Sequence, residues 1–166
     1  IYMQYVHSLT GLDQNYTFYQ FNHRNFIPVT DNDTFILGLD IFNRDGELPS
    51  FFLMRLGGDS DLRGYNSESK ATSKILGSMQ WRKLVFGPRE YTIPWIGKFD
   101  LSVNLTAFVD TGALTDSFDL IRLSDFHSTA GGGIEIVSPF QNLIRLEYAG
   151  DAHGHGGLYF VSSSRF

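Results

Sequence analysis

Residues 99–110 read FDLSVNLTAFVD. Phe99, Leu101, Val103, Leu105, Ala107 and Val109 fall on one side of an extended chain, and Asp100, Ser102, Asn104, Thr106, Phe108 and Asp110 fall on the other. A helix would scatter these two sets around its circumference, whereas a strand separates them completely. Strands of soluble proteins usually run to about five or six residues. This one is twice that long, and it suits a tilted bilayer crossing, which takes about 9–11 residues.

Working outward from it, the same alternation recurs. In Phe35–Phe42, Phe35, Leu37, Leu39 and Ile41 oppose Gly38 and Asp40. In Ile75–Val85, Ser78, Gln80 and Arg82 oppose Gly77, Met79 and Trp81. Thr129–Val137 sets Ala130, Gly132, Ile134 and Ile136 against Thr129, Gly131, Gly133 and Glu135. In Asn142–Ala149, Ile144, Leu146 and Tyr148 oppose Arg145 and Glu147. Gly157–Phe166 places Leu158, Phe160 and Phe166 on one face with Ser162 and Ser164. Ile1–Leu9 and Asn15–Arg24 are aromatic-rich candidates whose faces the pattern does not assign. The sum is eight strands and no helix.

Connection lengths give a direction. Ser138–Gln141, Thr10–Gln14 and Gly150–Gly156 are short, while Arg44–Ser73 and Thr111–His127 are long. Outer-membrane barrels have short periplasmic turns and longer outside loops. With a periplasmic C-terminus, both long loops lie outside. Gly87–Gly97 then faces the periplasm, its Tyr91 and Trp95 suited to an interfacial aromatic belt.

Composition narrows the class. The 166 residues carry a net charge of -5, which argues against nucleic acid as a partner. With 42% hydrophobic and 15% aromatic residues, the chain is not of a disordered type. No cysteine is present, so disulfides and thiol chemistry are excluded. No apolar run approaches the roughly 20 residues of a membrane helix, and the chain opens on Ile1, which suggests a processed chain or a piece of a longer one. Alternation alone also fits a soluble β-sandwich or a lipocalin-like barrel binding a small apolar ligand, with the apolar face as core.

The longest loop contains Leu56-Gly57-Gly58-Asp59-Ser60-Asp61-Leu62-Arg63-Gly64-Tyr65, and the clearest strand ends in Phe108-Val109-Asp110-Thr111-Gly112. A hydrophobic residue followed by Arg-Gly and an aromatic, with a Gly-Gly pair ahead of it, then a Phe-x-Asp-x-Gly strand, a glycine-rich strand and a C-terminal Phe166 form one constellation. By it the sequence resembles the BamA/TamA-like superfamily of outer-membrane assembly and translocation barrels, the bacterial surface antigen barrel domain. The likeness spans residues 33–166 and is weaker before that.

The resemblance implies an all-β, antiparallel transmembrane β-barrel in which this chain supplies the C-terminal half. Its eight strands would form half of a 16-stranded barrel, as a fragment or as a homodimer. It implies a single barrel domain over 1–166, without periplasmic repeat domains, in a Gram-negative outer membrane. The implied role is insertion or translocation of polypeptides, with no catalysis, metal or cofactor. The implied partners are outer-membrane lipids, a second copy or another barrel half, and polypeptide clients.

It further implies a loop lock of Arg63, Gly64, Tyr65, Phe108, Asp110 and Gly112. Physically, a guanidinium fork meeting a carboxylate over an aromatic ring combines a charge-assisted hydrogen bond with a cation–π contact. Alternation independently puts Phe108 and Asp110 on the polar side. BamA-like members also face the arginine with a glutamate on the strand after the long loop, and the matching position here is Gln80, a neutral amide. Leu158, Phe160 and Phe166 resemble the family's C-terminal assembly signal, which Ser162 and Ser164 interrupt. Those serines fit a weakly paired gate strand or simple variation.

Two other functions stay open. A phospholipase-like barrel enzyme would use a serine with His127 or His23, and a structural or accessory barrel would use neither chemistry nor clients. Asp151, His153 and His155 have the spacing of a metal loop, read more simply as a solvated hairpin. A closed eight-stranded barrel has an interior filled by side chains. It has no room for a loop of about thirty residues, so the reading requires a wider ring.

Overall fold

The computed structural model describes residues 2–6, 16–46, 52–58, 61–67, 69–95, 97–137 and 142–164. The expected turn at Ser138–Gln141 and the terminal Phe166 lie outside them. The strands are β1 (Tyr2–Val6), β2 (Tyr16–Pro28), β3 (Asp33–Gly46), β4 (Ser73–Ile93), β5 (Gly97–Thr115), β6 (His127–Val137), β7 (Asn142–Asp151) and β8 (Gly156–Ser164). They form one sheet in sequence order, each antiparallel to the next. Among the described residues nothing pairs the outer edges of β1 and β8, so the sheet is open. Single 3₁₀ turns at Phe118–Leu120 and Leu123–Asp125 interrupt the β5–β6 connection, and among the described residues no helix is long and apolar enough to cross a membrane.

The two faces differ in a way that decides the environment. On β5, Asn104, Thr106, Phe108 and Asp110 are buried, while Leu105 is 41% and Val109 45% exposed. The exposed side continues over the neighbouring strands with Leu37, Met79, Ile134, Leu146 and Phe160, the last 70% exposed. A soluble barrel or sandwich would bury this stripe. Here the apolar stripe is the outer surface and the polar stripe is covered, as in a barrel whose outside meets hydrocarbon.

Register places the polar residues. Ser78 pairs with Asp110 and Asp110 with Thr129; Gln80 pairs with Phe108 and Phe108 with Gly131. Asn22, whose face the sequence pattern leaves unassigned, pairs with Asp40 and donates to its carboxylate at 2.7 Å. The inner carboxylates are matched by cations, since unpaired buried charge is costly. Arg24 meets Asp40 at 2.8 and 2.6 Å, and Arg82 meets Glu135 at 2.9 Å.

Two connections are shorter than the sequence suggests. Gly87–Gly97 reads as a connection after the strand Ile75–Val85, yet β4 continues through register shifts between Leu84 and Arg89 to Ile93, and β5 begins at Gly97. Gly87 supplies the positive φ, +84°, that such an irregularity favours. The β4–β5 hairpin therefore extends past its neighbours, for β3 pairs with β4 only to Lys83 and β6 with β5 only from Ser102. Its tip carries a fully exposed Trp95. Likewise β5 runs on to Thr115, inside the expected Thr111–His127 loop.

Leu105→Arg puts a charge in the centre of the outer stripe. It is expected to lower folding stability in lipid vesicles by about 2–4 kcal/mol, read by urea titration of the folded fraction, while Thr111→Ser, which keeps the hydroxyl four residues before the strand ends at Thr115, leaves the midpoint in place.

Candidate loop-anchoring site

The segment between β3 and β4 folds back on the polar face. Bridges between Met54 and Ala71 and between Gly57 and Asn66 hold it as a narrow double strand. Gly58 N–H donates to Tyr65 O at 3.1 Å, and Tyr65 N–H to Leu62 O at 3.2 Å. Gly64 lies at the turn with φ +83°, a region that glycine enters without the Cβ penalty. Leu56 and Leu62 are fully buried against Leu76 of β4 and root the loop with apolar contacts. Lys74 at the loop's exit adds an ion pair to Asp61 at 2.6 Å.

At the tip of this structure Arg63 is 6% exposed. Its Nε donates to Asp110 Oδ2 at 2.7 Å and its Nη2 to Oδ1 at 3.0 Å, a bidentate pair. The guanidinium carbon stands 3.3 Å from the centre of the Phe108 ring. Nη1 reaches Glu147 Oε1 and Oε2 at 3.2 and 3.3 Å. Burial opposes the charge of Arg63, and the hydrogen bonds and charges of Asp110 and Glu147 outweigh it, so its pKa is held above the ordinary arginine value.

The rest of the Phe-x-Asp-x-Gly strand has mechanical reasons. A Cβ on Gly112 would stand 2.7 Å from Leu76 and 2.9 Å from Leu56, where the loop root packs. A Cβ on Gly131 of β6 would stand 2.6 Å from the Phe108 ring. The glycines of β6 thus leave the space in which Phe108 and Glu147 lie across the wall. Tyr65 stacks on His127 at 4.4 Å between ring centres, and Gly64 N–H donates to the Tyr159 hydroxyl of β8 at 2.9 Å.

Sequence-expected residues fall into three groups. Arg63, Gly64, Tyr65, Phe108, Asp110 and Gly112 converge on one site. Gln80 lies beside them on the wall of a cavity of about 270 Å³ shared with Arg63 and Asp110, but it makes no hydrogen bond to Arg63. The second carboxylate is instead Glu147, two strands beyond β5. The sequence signal available for it was the alternation that puts Glu147 on the polar face. Leu158 and Phe160 project outward from β8, each 70% exposed.

The residues considered for other chemistry go elsewhere. His23 stacks on Phe21 at 6.4 Å. Among the described residues no serine hydroxyl is hydrogen-bonded to either His23 or His127. Asp151 closes its own loop, accepting from His153 N–H at 2.8 Å and His155 N–H at 2.9 Å and meeting the His155 ring at 3.0 Å.

A polar-lined, apolar-coated sheet with an arginine loop seated against a Phe-x-Asp-x-Gly strand invites comparison with known families. A family model described as the Omp85 superfamily domain matches residues 2–166. The chain belongs to the Omp85 superfamily. No curated protein matches it at a significant level. Membership makes it a relative of outer-membrane assembly and translocation barrels. In this Omp85 domain the match begins with β1, well ahead of residue 33, where the motif-based likeness starts.

Proposed function

We propose that the protein is an outer-membrane wall segment that takes part in inserting or translocating polypeptides, with the Arg63 loop as the element that holds its working conformation. The observation that carries this reading is the seating of Arg63 between Asp110 and Glu147 over Phe108. A loop that merely covered the barrel mouth would not require two buried carboxylates and a cleared glycine strand. The long loops then face outside, and the hairpin tip at Trp95 faces the periplasm.

The ring is completed beyond these strands. Unpaired backbone groups inside a bilayer cost several kcal/mol each, so the outer edges of β1 and β8 need strands beside them. Sixteen strands would enclose the loop comfortably, with the remainder supplied by a second copy or by further strands of the same protein. The mass of the full-length protein extracted in detergent distinguishes one copy from two.

The functional test uses full-length protein in lipid vesicles and an unfolded outer-membrane protein presented by a chaperone. Wild type is expected to speed insertion of this client over empty vesicles, and Arg63→Ala to lose most of that acceleration. Equal rates for the two would discard the reading.

A further inference from the structure

β2 breaks the pattern of the lipid-facing side. Asn22 and Arg24 turn inward to Asp40, so His23 and Asn25 turn outward, level with Leu39 and Leu37 of β3. Both lie inside the apolar band. Ile27 stands level with Phe35 and, across β3, with Trp81 at one rim of the band, and Tyr19 lies toward the other. The outward positions of β3 from Phe35 to Ile41 and of β5 from Leu101 to Val109 are all apolar. A histidine and an asparagine on β2 are a local exception to that surface.

Neither side chain is satisfied within the sheet. Both residues are exposed. The His23 carbonyl accepts from Arg24 at 3.0 Å, but among the described residues no group hydrogen-bonds the His23 ring or the Asn25 amide. The ring has only its stack on Phe21, at 6.4 Å. Hydrocarbon offers neither donors nor acceptors, so a polar side chain turned toward it goes unsatisfied at a cost. Polar groups held at such depth accordingly face protein or a water-filled space. Strand parity keeps these two out of the lumen, so what satisfies them comes from beside the wall.

From this placement we infer that the outer face of β2 is an interface with a second copy of the protein standing beside it in the bilayer. The chemistry selects a copy. An amide carries donors and an acceptor, and a neutral imidazole carries one of each, so each group satisfies an identical group set opposite it. Two barrels inserted the same way round are related by a twofold axis along the membrane normal, and such an axis brings residues of equal depth face to face. Asn25 then meets its own counterpart and His23 its own, with Phe21 and Ile27 of the same face adding apolar contact on either side. This contact joins two walls side by side, and so differs from a second copy that completes the ring by strand pairing. It rests on the membrane placement of the outer face alone, and its failure leaves the insertion reading untouched.

The test is cysteine cross-linking in lipid vesicles, for residues 1–166 contain no cysteine of their own. Full-length protein with Ile27→Cys, on the contact face, is compared with Leu146→Cys, outward on β7, at high lipid excess with a short thiol-reactive linker; the protein without either change is the blank. Ile27→Cys is expected to link copies several-fold faster than Leu146→Cys. Two copies sharing one ring would hold their Ile27 residues on opposite walls, out of the linker's reach. Adding His23→Phe and Asn25→Leu to the Ile27→Cys protein replaces both polar groups by apolar ones. This is expected to weaken association by roughly three- to thirtyfold, the range that one or two hydrogen bonds give between membrane segments, without lowering the urea midpoint of folding. Equal linking at positions 27 and 146 would overturn the inference and leave lipid, water in a thinned rim or a different outer-membrane protein as the neighbour of β2. Unchanged linking in the apolar variant would overturn it too, because the contact would then not run through the polar pair. A lowered midpoint would also count against it, since the two side chains would then be partnered within their own chain.

Discussion

Arg63→Ala releases the long loop from the wall. The substitution removes the cation but leaves Asp110 and Glu147, which are 2% and 1% exposed. Breaking a buried pair by deleting one partner costs about 3–5 kcal/mol, chiefly because the remaining charge is left without compensation. The carboxylates escape that cost when the loop lifts and water enters. A shift of this size is about a hundredfold or more in the seated-to-lifted ratio, as each 1.4 kcal/mol is about tenfold. Trypsin reads the outcome. Arg55 and Lys70 lie on exposed parts of the loop, and cleavage there is expected to be slow in wild-type membranes and at least about tenfold faster in the variant. Gln80→Ala is expected to leave cleavage at the wild-type rate, because Gln80 does not bond Arg63. A resistant loop in Arg63→Ala would show that the apolar root at Leu56 and Leu62 is sufficient by itself.

Gly64→Ala is expected to produce the same release with every charge retained. Two penalties combine at this position. The backbone sits at φ +83°, a left-handed conformation that costs an L residue roughly 1–2 kcal/mol. The new methyl would also stand 2.6–2.7 Å from the carbonyl group of Ala149 and the nitrogen of Gly150. These are backbone atoms of a paired strand, which cannot turn aside as a flexible side chain would. The loop must therefore rise, drawing the guanidinium away from its carboxylates. Near-complete protease sensitivity is the expected result. Wild-type protection in Gly64→Ala would mean that the wall yields there, and the close fit of loop to β7 would lose its significance.

Much of this architecture was legible in residues 99–110. Parity alone placed Asn104, Thr106, Phe108 and Asp110 on one side, and the structure finds that side covered. That Arg63 meets the strand of Phe108, Asp110 and Gly112 was legible only through the joint pattern of loop and strand, since an Arg-Gly-Tyr by itself occurs by chance. Glu147 was missed because alternation reports a face and not a distance. Its approach to Arg63 depends on Gly131 and Gly133 clearing the wall between β5 and β7, and that is a property of neighbouring strands in register. The hairpin past Lys83 was missed for a different reason. Apolar alternation stops at Val85 and leaves Gly87–Gly97 as a connection, although an irregularity with a positive φ at Gly87 lets a strand absorb both Gly87 and Pro88 and go on. Tyr159 gave no local signal, for its partner is a backbone amide far away in sequence.

The extended hairpin also gives the molecule an optical use. Its two tryptophans occupy opposite settings: Trp81 stands on the lipid-side stripe with its indole nitrogen 3.1 Å from Asp33, and Trp95 is naked at the hairpin tip. Brominated acyl chains should therefore dim the first and a water-borne quencher the second. The unlabelled protein thus carries its own compass for reading which way round it has entered a vesicle.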